Sequence, residues 1–454
     1  MRLLVKNGRL IDPFNRIDAM LNIVVEEGRV AAVTCEEGPV SDQTIDAAGK
    51  IVCPGFVDLH FHEDPFNPAS GRIDHDITFA ALRMGVTSSI GGNCGLNFGD
   101  PAEYLDALDR DGAPVNVGLF CGHTYFRNAA GLTDKYAPID QARLEGMRLA
   151  IRKCLGAGCF GLSFGIRYVP GLTRDEMLQL SRLLKESGDK LLTAHVRDDA
   201  ANIFDSVREL ADIARELELP VQNSHIGSMG GYGQMEELLR RIDAMRGQGL
   251  DISSDCYPYC AFSTRIGEAT YDQGFLDRYQ TDYGAIEICD GKYQGRRCTE
   301  DIFQELRAQA PETITVCHVM KERDVDLALS HPNVFLASDG LISRGQGHPR
   351  AAGTFPRFIA NYVRGGRIGL HAAIEKMTAG PAEKLGLKSK GRLSRGADAD
   401  ITIFDLEAIE DRATFTRPLL APKGIDYVII GGEIALKDGE IVRDRLGRAL
   451  RREG

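Results

Sequence analysis

No stretch of the chain reaches 18 uninterrupted apolar residues, so no membrane span is expected. The start, MRLLVKNGRLIDPF, has no long apolar segment behind its basic residues, and no secretory leader is expected either. An excess of basic charge is missing too. Acidic residues number 65 against 54 lysines and arginines, and a net charge of −11 makes a nucleic-acid backbone an unsuitable partner. A disulfide framework is absent. The 11 cysteines are scattered through 454 residues, which suits the reducing cytoplasm. Neither CYPYC (Cys256, Cys260) nor CLGAGC (Cys154, Cys159) has the spacing of a zinc ribbon, and these four read as buried or half-buried thiols. No GxGxxG turn follows the first apolar strand, which argues against an open dinucleotide-binding sheet.

What is present is an ordinary globular composition, 43% hydrophobic and 26% charged, long enough for one large domain and a smaller one. Short apolar runs recur at 56–62, 87–94, 115–123, 158–165, 190–196, 220–227, 250–259 and 333–340. Helical patterns lie between several of them, for example 173–188 and 201–218. Thr173 with Glu176 predicts a capping-box start, and Gly188 a stop. Eight strands alternating with helices predict a (β/α)₈ TIM barrel over 55–385.

A ninth strand candidate, 313–319, falls in a stretch too long for an ordinary βα connection. Residues 264–322 are therefore expected to form an inserted subdomain, rich in charge and carrying Tyr271, Tyr279, Tyr283 and Tyr293. Both chain ends read as β-meander with glycines between short β-rich runs. Residues 1–54 and 386–454 are expected to meet in one small β-sandwich. The basic tail RDRLGRALRREG reads as a solvated end, and His75 in RIDHDI as the start of a helix at the barrel rim.

The chemistry collects at the strand ends. VDLHFHED places His60 and His62 two residues apart, on one face of a strand. His123, His195 and His225 also end predicted strands, so five of the 10 histidines do so. Cys94 and Asp339 join them. In a barrel, strand C-termini face the catalytic mouth. Core packing has no such preference, and imidazole, thiolate and carboxylate together suit a borderline metal such as zinc.

Longer stretches now add to this. PGFVDLHFH, GNCG (92–95), GCFGLSFGIRYVPG (158–171), AHVR (194–197), NSHIG (223–227), DCYPYCAFST (255–264), ASDG, GHPRAAGTFPRFIANYVR (347–364) and GADADITIFD cover nearly the whole chain. In this order and spacing the sequence resembles the amidohydrolase superfamily, and within it the N-acyl-D-amino-acid deacylase (D-aminoacylase) family. The resemblance implies a zinc-dependent TIM barrel with a β-sandwich and an inserted subdomain. It implies a tight zinc site of Cys94, His195 and His225. His60 and His62, with the same cysteine, would form a second, weaker position, either filled or empty.

On that resemblance the reaction is hydrolysis of the amide of an N-acyl-D-amino acid. Zinc polarises the carbonyl and lowers the pKa of water. Asp339 accepts a proton from the attacking water and passes it to the leaving amine. Hydroxyls of Tyr257 and Ser263 would hold the substrate carboxylate, and Tyr168 would line the pocket. Arg265, Arg350 and Arg357 could add charge, since arginine suits bidentate carboxylate recognition. One position departs from the family. Gly227 stands where many members carry a lysine against the carboxylate, so charge must come from elsewhere or the substrate differs. His123 has no assigned role. Alternatives are a cyclic-amide hydrolase of the hydantoinase or dihydroorotase type, in which a lysine bridge would replace Cys94, a nucleobase deaminase, and a non-catalytic homologue. The substrate is expected to be a small molecule. The side chain, acyl group and oligomeric state are not legible.

Overall fold

The computed structural model describes residues 2–452 except 37, 39 and 189. Its centre is a ring of eight parallel strands: β1 (Phe56–Asp58), β2 (Val86–Gly91), β3 (Asn116–Leu119, carried on by Cys121–Gly122), β4 (Gly161–Gly165), β5 (Leu191–His195), β6 (Val221–Asn223), β7 (Ile252–Cys256) and β8 (Val334–Leu336). Each pairs with the next in parallel register. The ring closes just beyond β1 and β8. There Asp339 N–H donates to the His60 carbonyl at 2.7 Å and His62 N–H to that of Gly340 at 2.9 Å. Two chemically interesting segments are thus tied together by backbone alone.

The strands read as continuous apolar and small residues because both faces are covered. Every strand residue except Phe335 is buried. Helices follow the strands, including Asp76–Arg83 directly after His75, Arg174–Glu186 and Ile203–Leu217. Thr173 Oγ1 caps Arg174–Glu186 by accepting Glu176 N–H at 3.1 Å. The Glu176 side chain does not return to complete a capping box. It turns inward to His123 and Arg127 instead. The helix stops as expected, and Gly188 takes a φ of +89° that a side chain would resist.

The chain ends share one seven-stranded sheet, in which Ile51–Pro54 pairs antiparallel with Ile401–Phe404. A four-stranded sheet from residues 2–46 packs on it as a sandwich. The filling includes Leu3, Val5, Ile23, Val52, Ile401 and Ile429, all 1% exposed or less. Burial of that kind stabilises by ~1.5–3 kcal/mol per aliphatic side chain.

Between β7 and β8, strands Phe262–Arg265, Ile286–Ile288 and Ile314–Cys317 form an antiparallel sheet with Ile314–Cys317 in the middle. Phe262, Tyr271, Phe275, Tyr279, Tyr283 and Phe303 cluster beside it.

The basic tail is not a solvated end; its last two residues lie outside those described. Gly447 N–H donates to Ala113 O and Leu450 N–H to Val117 O, both at 2.8 Å, which lays the tail along β3. The buried Lys190 ammonium holds the Arg452 carbonyl at 3.3 Å. Backbone groups at the base of the barrel thus outweigh the solvation of a basic segment. Among the described residues no helix is long and apolar enough to cross a membrane.

Candidate metal centre

The residues after β1 carry both His60 and His62 into the mouth, with ring centroids 5.8 Å apart and both buried. Cys94 sits in the tight turn Asn93–Gly95 that ends β2. His195 is the last residue of β5, His225 follows β6 and Asp339 follows β8. Cys94, His225 and Asp339 all have left-handed backbone, with φ of +52°, +33° and +47°. Such conformations cost on the order of 1–3 kcal/mol each and persist only where surrounding structure enforces them.

The enforcement is visible. The Glu63 carboxylate, itself buried, accepts Gly92 N–H at 2.6 Å, Asn97 Nδ2–H at 3.0 Å and Phe98 N–H at 3.1 Å. Ser163 Oγ accepts Gly95 N–H at 3.0 Å. Four bonds therefore pin the loop around Cys94.

The donor atoms converge on two sets that share Cys94. Those of His60, His62, Cys94 and Asp339 lie within 4.8 Å of one another, as do those of Cys94, His195 and His225. Cys94 Sγ is 3.2 Å from His225 Nε2 and 3.5 Å from His60 Nε2. Asp339 Oδ1 is 3.1 Å from His62 Nε2 and 3.4 Å from His60 Nε2. Buried imidazole nitrogens are left over, since Nδ1 of His62 and of His195 has no hydrogen-bond partner. A soft thiolate, imidazoles and a carboxylate at these separations fit zinc.

The electrostatics favour the ligand forms of Cys94, Asp339 and His195. Burial pushes the Cys94 thiol up, but His225 and His60, helped by hydrogen bonds from His195 and His225, hold it well below its ordinary value. Burial also opposes ionisation of Asp339, yet Arg350 and the imidazoles of His225, His60 and His62 keep it well below the usual carboxylate range. Burial and neighbouring His225 lower His195 to about 4, so its ring is neutral. Burial lowers His62 as well, but Asp339 and Cys94 outweigh it and raise that ring to about 9.

Two further side chains aim the ligands. Asp255, 1% exposed at the end of β7, has Oδ1 3.1 Å from His60 Nδ1 and accepts His225 N–H at 2.8 Å. Ser228 Oγ lies 2.9 Å from His225 Nδ1 and donates to the His225 carbonyl, while His225 Nε2 faces Cys94. These partners fix the placement of the rings. Asp255, Glu63 and Ser163 lie within the sequence motifs above, which assign them no role. Asp255 falls at a strand end, but nothing in the sequence places Glu63 or Ser163 beside the Cys94 turn.

Tyr168 packs on His195 with centroids 4.5 Å apart. With Tyr257, Ser263, Arg350 and Asp339 it lines a narrow inner cavity. Arg350, 3% exposed, lies 2.8 Å from Asp339 Oδ2 and stacks over the Tyr257 ring at 4.6 Å. The buried Tyr257 hydroxyl and Arg350 Nε have no partner. Arg265 stands further out, paired with Glu312 at 3.0 Å. Arg357 is not at the site, because Asp411, the Pro258 carbonyl and the Tyr259 ring hold it elsewhere. His123 does not reach the ligands either. It is buried against Glu176 at 2.8 Å. At Gly227 a Cβ would stand 2.6 Å from Cys256 Sγ, so a side chain there requires the Cys256 thiol to move.

With this geometry in hand, residues 51–435 match the amidohydrolase family. The chain belongs to that family. It is 30% identical over 99% of its length to a D-aminoacylase of Alcaligenes xylosoxydans xylosoxydans, of which it covers 97%. It is likewise 30% identical over 99% of its length to an N-acyl-D-glutamate deacylase of the same organism, covering 96% of that protein. Among solved structures, an N-acyl-D-glutamate deacylase from Bordetella bronchiseptica, complexed with zinc and a phosphonate mimic of the tetrahedral intermediate, superposes with a TM-score of 0.88. Identity is 28%, with 99% of each chain covered. In this amidohydrolase the site just described lies at the C-terminal ends of the barrel strands, the face on which TIM-barrel enzymes carry their active sites.

Proposed function

We propose that this amidohydrolase hydrolyses N-acyl-D-amino acids, releasing a carboxylic acid and the free D-amino acid. The observation that carries the reading is the pair of donor sets sharing Cys94, with an ionised Asp339 beside a buried Arg350. The D configuration rests on the two curated relatives.

Cys94, His195 and His225 would hold one zinc ion, and His60 and His62 would join Cys94 in a second, weaker position. Zinc bound there supplies Lewis acidity to the amide carbonyl and lowers the pKa of water. Asp339 is the proton carrier: kept ionised, it takes a proton from the attacking water and returns it to the leaving amine. Arg350 holds Asp339 in place, and its unpartnered Nε with the Tyr257 hydroxyl offers donors to the substrate carboxylate. Ser263 and Tyr168 complete that wall, and Arg265 lies outside it. Arg350 thus supplies the cation that Gly227 does not.

On this reading residues 55–385 form the catalytic barrel, 264–322 its inserted subdomain, and 1–54 with 386–454 the supporting sandwich. All 11 cysteines are free and Cys35 alone is exposed, which fits a reducing compartment such as the cytoplasm. The substrate is a small molecule, with no nucleic acid or membrane as partner.

The test counts zinc per chain and assays N-acetyl D- and L-amino acids beside hydantoin and dihydroorotate. Zinc with release of free D-amino acids is expected. Ring opening without deacylation would move the protein to the cyclic amidases. Zinc-loaded protein inactive on the whole panel would leave a non-catalytic homologue.

A further inference from the structure

Two cavities meet at Asp339. The inner one is tight and holds the unpartnered Tyr257 hydroxyl, which the outer one does not touch. The outer cavity has a volume of about 420 Å³ and runs from His62, Cys94 and Asp339 past Leu96, Leu132 and Val169. Tyr168, Ser263, Thr264 and Arg350 border both.

On the deacylase reading, the amino-acid carboxylate turns inward to Tyr257 and Arg350. Across the scissile bond, the acyl group must then point into the outer cavity. Cavities of ~300–1,000 Å³ enclose ligands far larger than an acetyl methyl. Two of the cations on its walls, Arg265 and Lys135, are already paired. Arg265 pairs with Glu312 at 3.0 Å, and Lys135 holds the Gly267 carbonyl at 2.9 Å and Glu268 at 3.7 Å. On the deacylase reading Arg350 is committed to Asp339 and the amino-acid carboxylate, and Arg127 to Glu176, while Leu96, Leu132 and Val169 offer apolar surface to the acyl group.

We infer that the outer cavity is an acyl subsite for neutral groups larger than acetyl, such as hexanoyl or phenylacetyl, and that Arg127 positions its wall. Arg127 is 1% exposed. One nitrogen of its guanidinium contacts both oxygens of Glu176, at 3.2 and 3.3 Å. The other donates to the carbonyls of Ala137 and Asp134. Those carbonyls belong to the segment that brings Leu132, Thr133 and Lys135 to the cavity. His123, 2.8 Å from the same carboxylate, fixes Glu176 from behind. The buried triad of His123, Glu176 and Arg127 therefore sets the shape of the acyl subsite without touching the reacting atoms.

The experiment measures kcat/KM for acetyl, butyryl, hexanoyl and phenylacetyl derivatives of one D-amino acid, on zinc-loaded protein. Hexanoyl is expected to exceed acetyl by at least about tenfold, the scale that a few buried methylenes give. Arg127→Lys keeps a charge on Glu176 but cannot fork to two carbonyls, and should bring the hexanoyl-to-acetyl ratio towards one. Leu132→Trp narrows the cavity from its exposed rim and should lower the same ratio, whether or not Arg127→Lys folds. Acetyl turned over as well as hexanoyl would overturn the subsite and leave the deacylase reading standing. A ratio unmoved in both variants would overturn the positioning role and the assigned wall. No release from any derivative would end both the deacylase reading and the inference.

Discussion

His60 Nδ1 stands 3.1 Å from the carboxylate of Asp255, and the same oxygen accepts the backbone N–H of His225 at 2.8 Å. One buried anion thereby lies against a ring of one donor set and holds the backbone of a ligand of the other. Gln222 Nε2 donates to the other oxygen at 2.9 Å, so the carboxylate cannot rotate freely. Asp255→Asn preserves the shape but puts an amide where a charge-assisted acceptor was. Loss of such an orienting partner weakens metal binding by ~10–100-fold. Competition against a chelator of known zinc affinity would read this directly. Wild-type affinity in a folded Asp255→Asn variant would exclude the role.

Arg350 serves Asp339 and the substrate at once. Its pairing at 2.8 Å leaves Nε unpartnered, and its planar head lies over Tyr257. Lysine cannot reproduce a stacked, forked contact. For Arg350→Lys, kcat/KM on an N-acyl-D-amino acid should fall on the order of 100-fold, the scale of a buried charged hydrogen bond. The same comparison on the substrate's carboxamide, which carries no anion, should show a much smaller loss. Equal losses on both would mean that Arg350 acts only through Asp339.

The barrel is legible because short apolar runs alternate with helical patterns, and a period of two puts His60 and His62 on one face. Cys94, His195, His225 and Asp339 were legible as strand ends, where a barrel gathers them. Asp255 and Glu63 were not, since their work depends on which strands are neighbours. The tail differs from its sequence expectation for a similar reason. Its charge pointed to solvent, while its backbone hydrogen bonds to residues 113 and 117 are invisible in composition. Gly227 could be marked as a departure from the sequence alone. Only packing shows that Cys256 Sγ occupies the space a side chain would need.

A matched pair of glycines separates site geometry from general stability. At Gly165, the last residue of β4, a Cβ would come within 2.1 Å of the Cys94 carbonyl oxygen. That contact is with backbone, so relief must come from moving the Cys94 turn or β4. Gly146 sits inside the helix Gln141–Gly156 with nothing within 4 Å of a Cβ. Gly146→Ala should therefore stabilise by ~0.5–1 kcal/mol, the ordinary gain of alanine over glycine in a helix, with zinc binding unchanged. Gly165→Ala should lose several kcal/mol, on the scale of overpacking in a filled core, and should bind zinc more weakly because Cys94 is displaced. Thermal melts with and without zinc measure both effects. Zinc should raise the melting temperature of Gly146→Ala as much as that of wild type, and of Gly165→Ala much less. If zinc stabilised both variants equally, Cys94 would not depend on β4 for its position, and the braced turn would lose its assigned purpose.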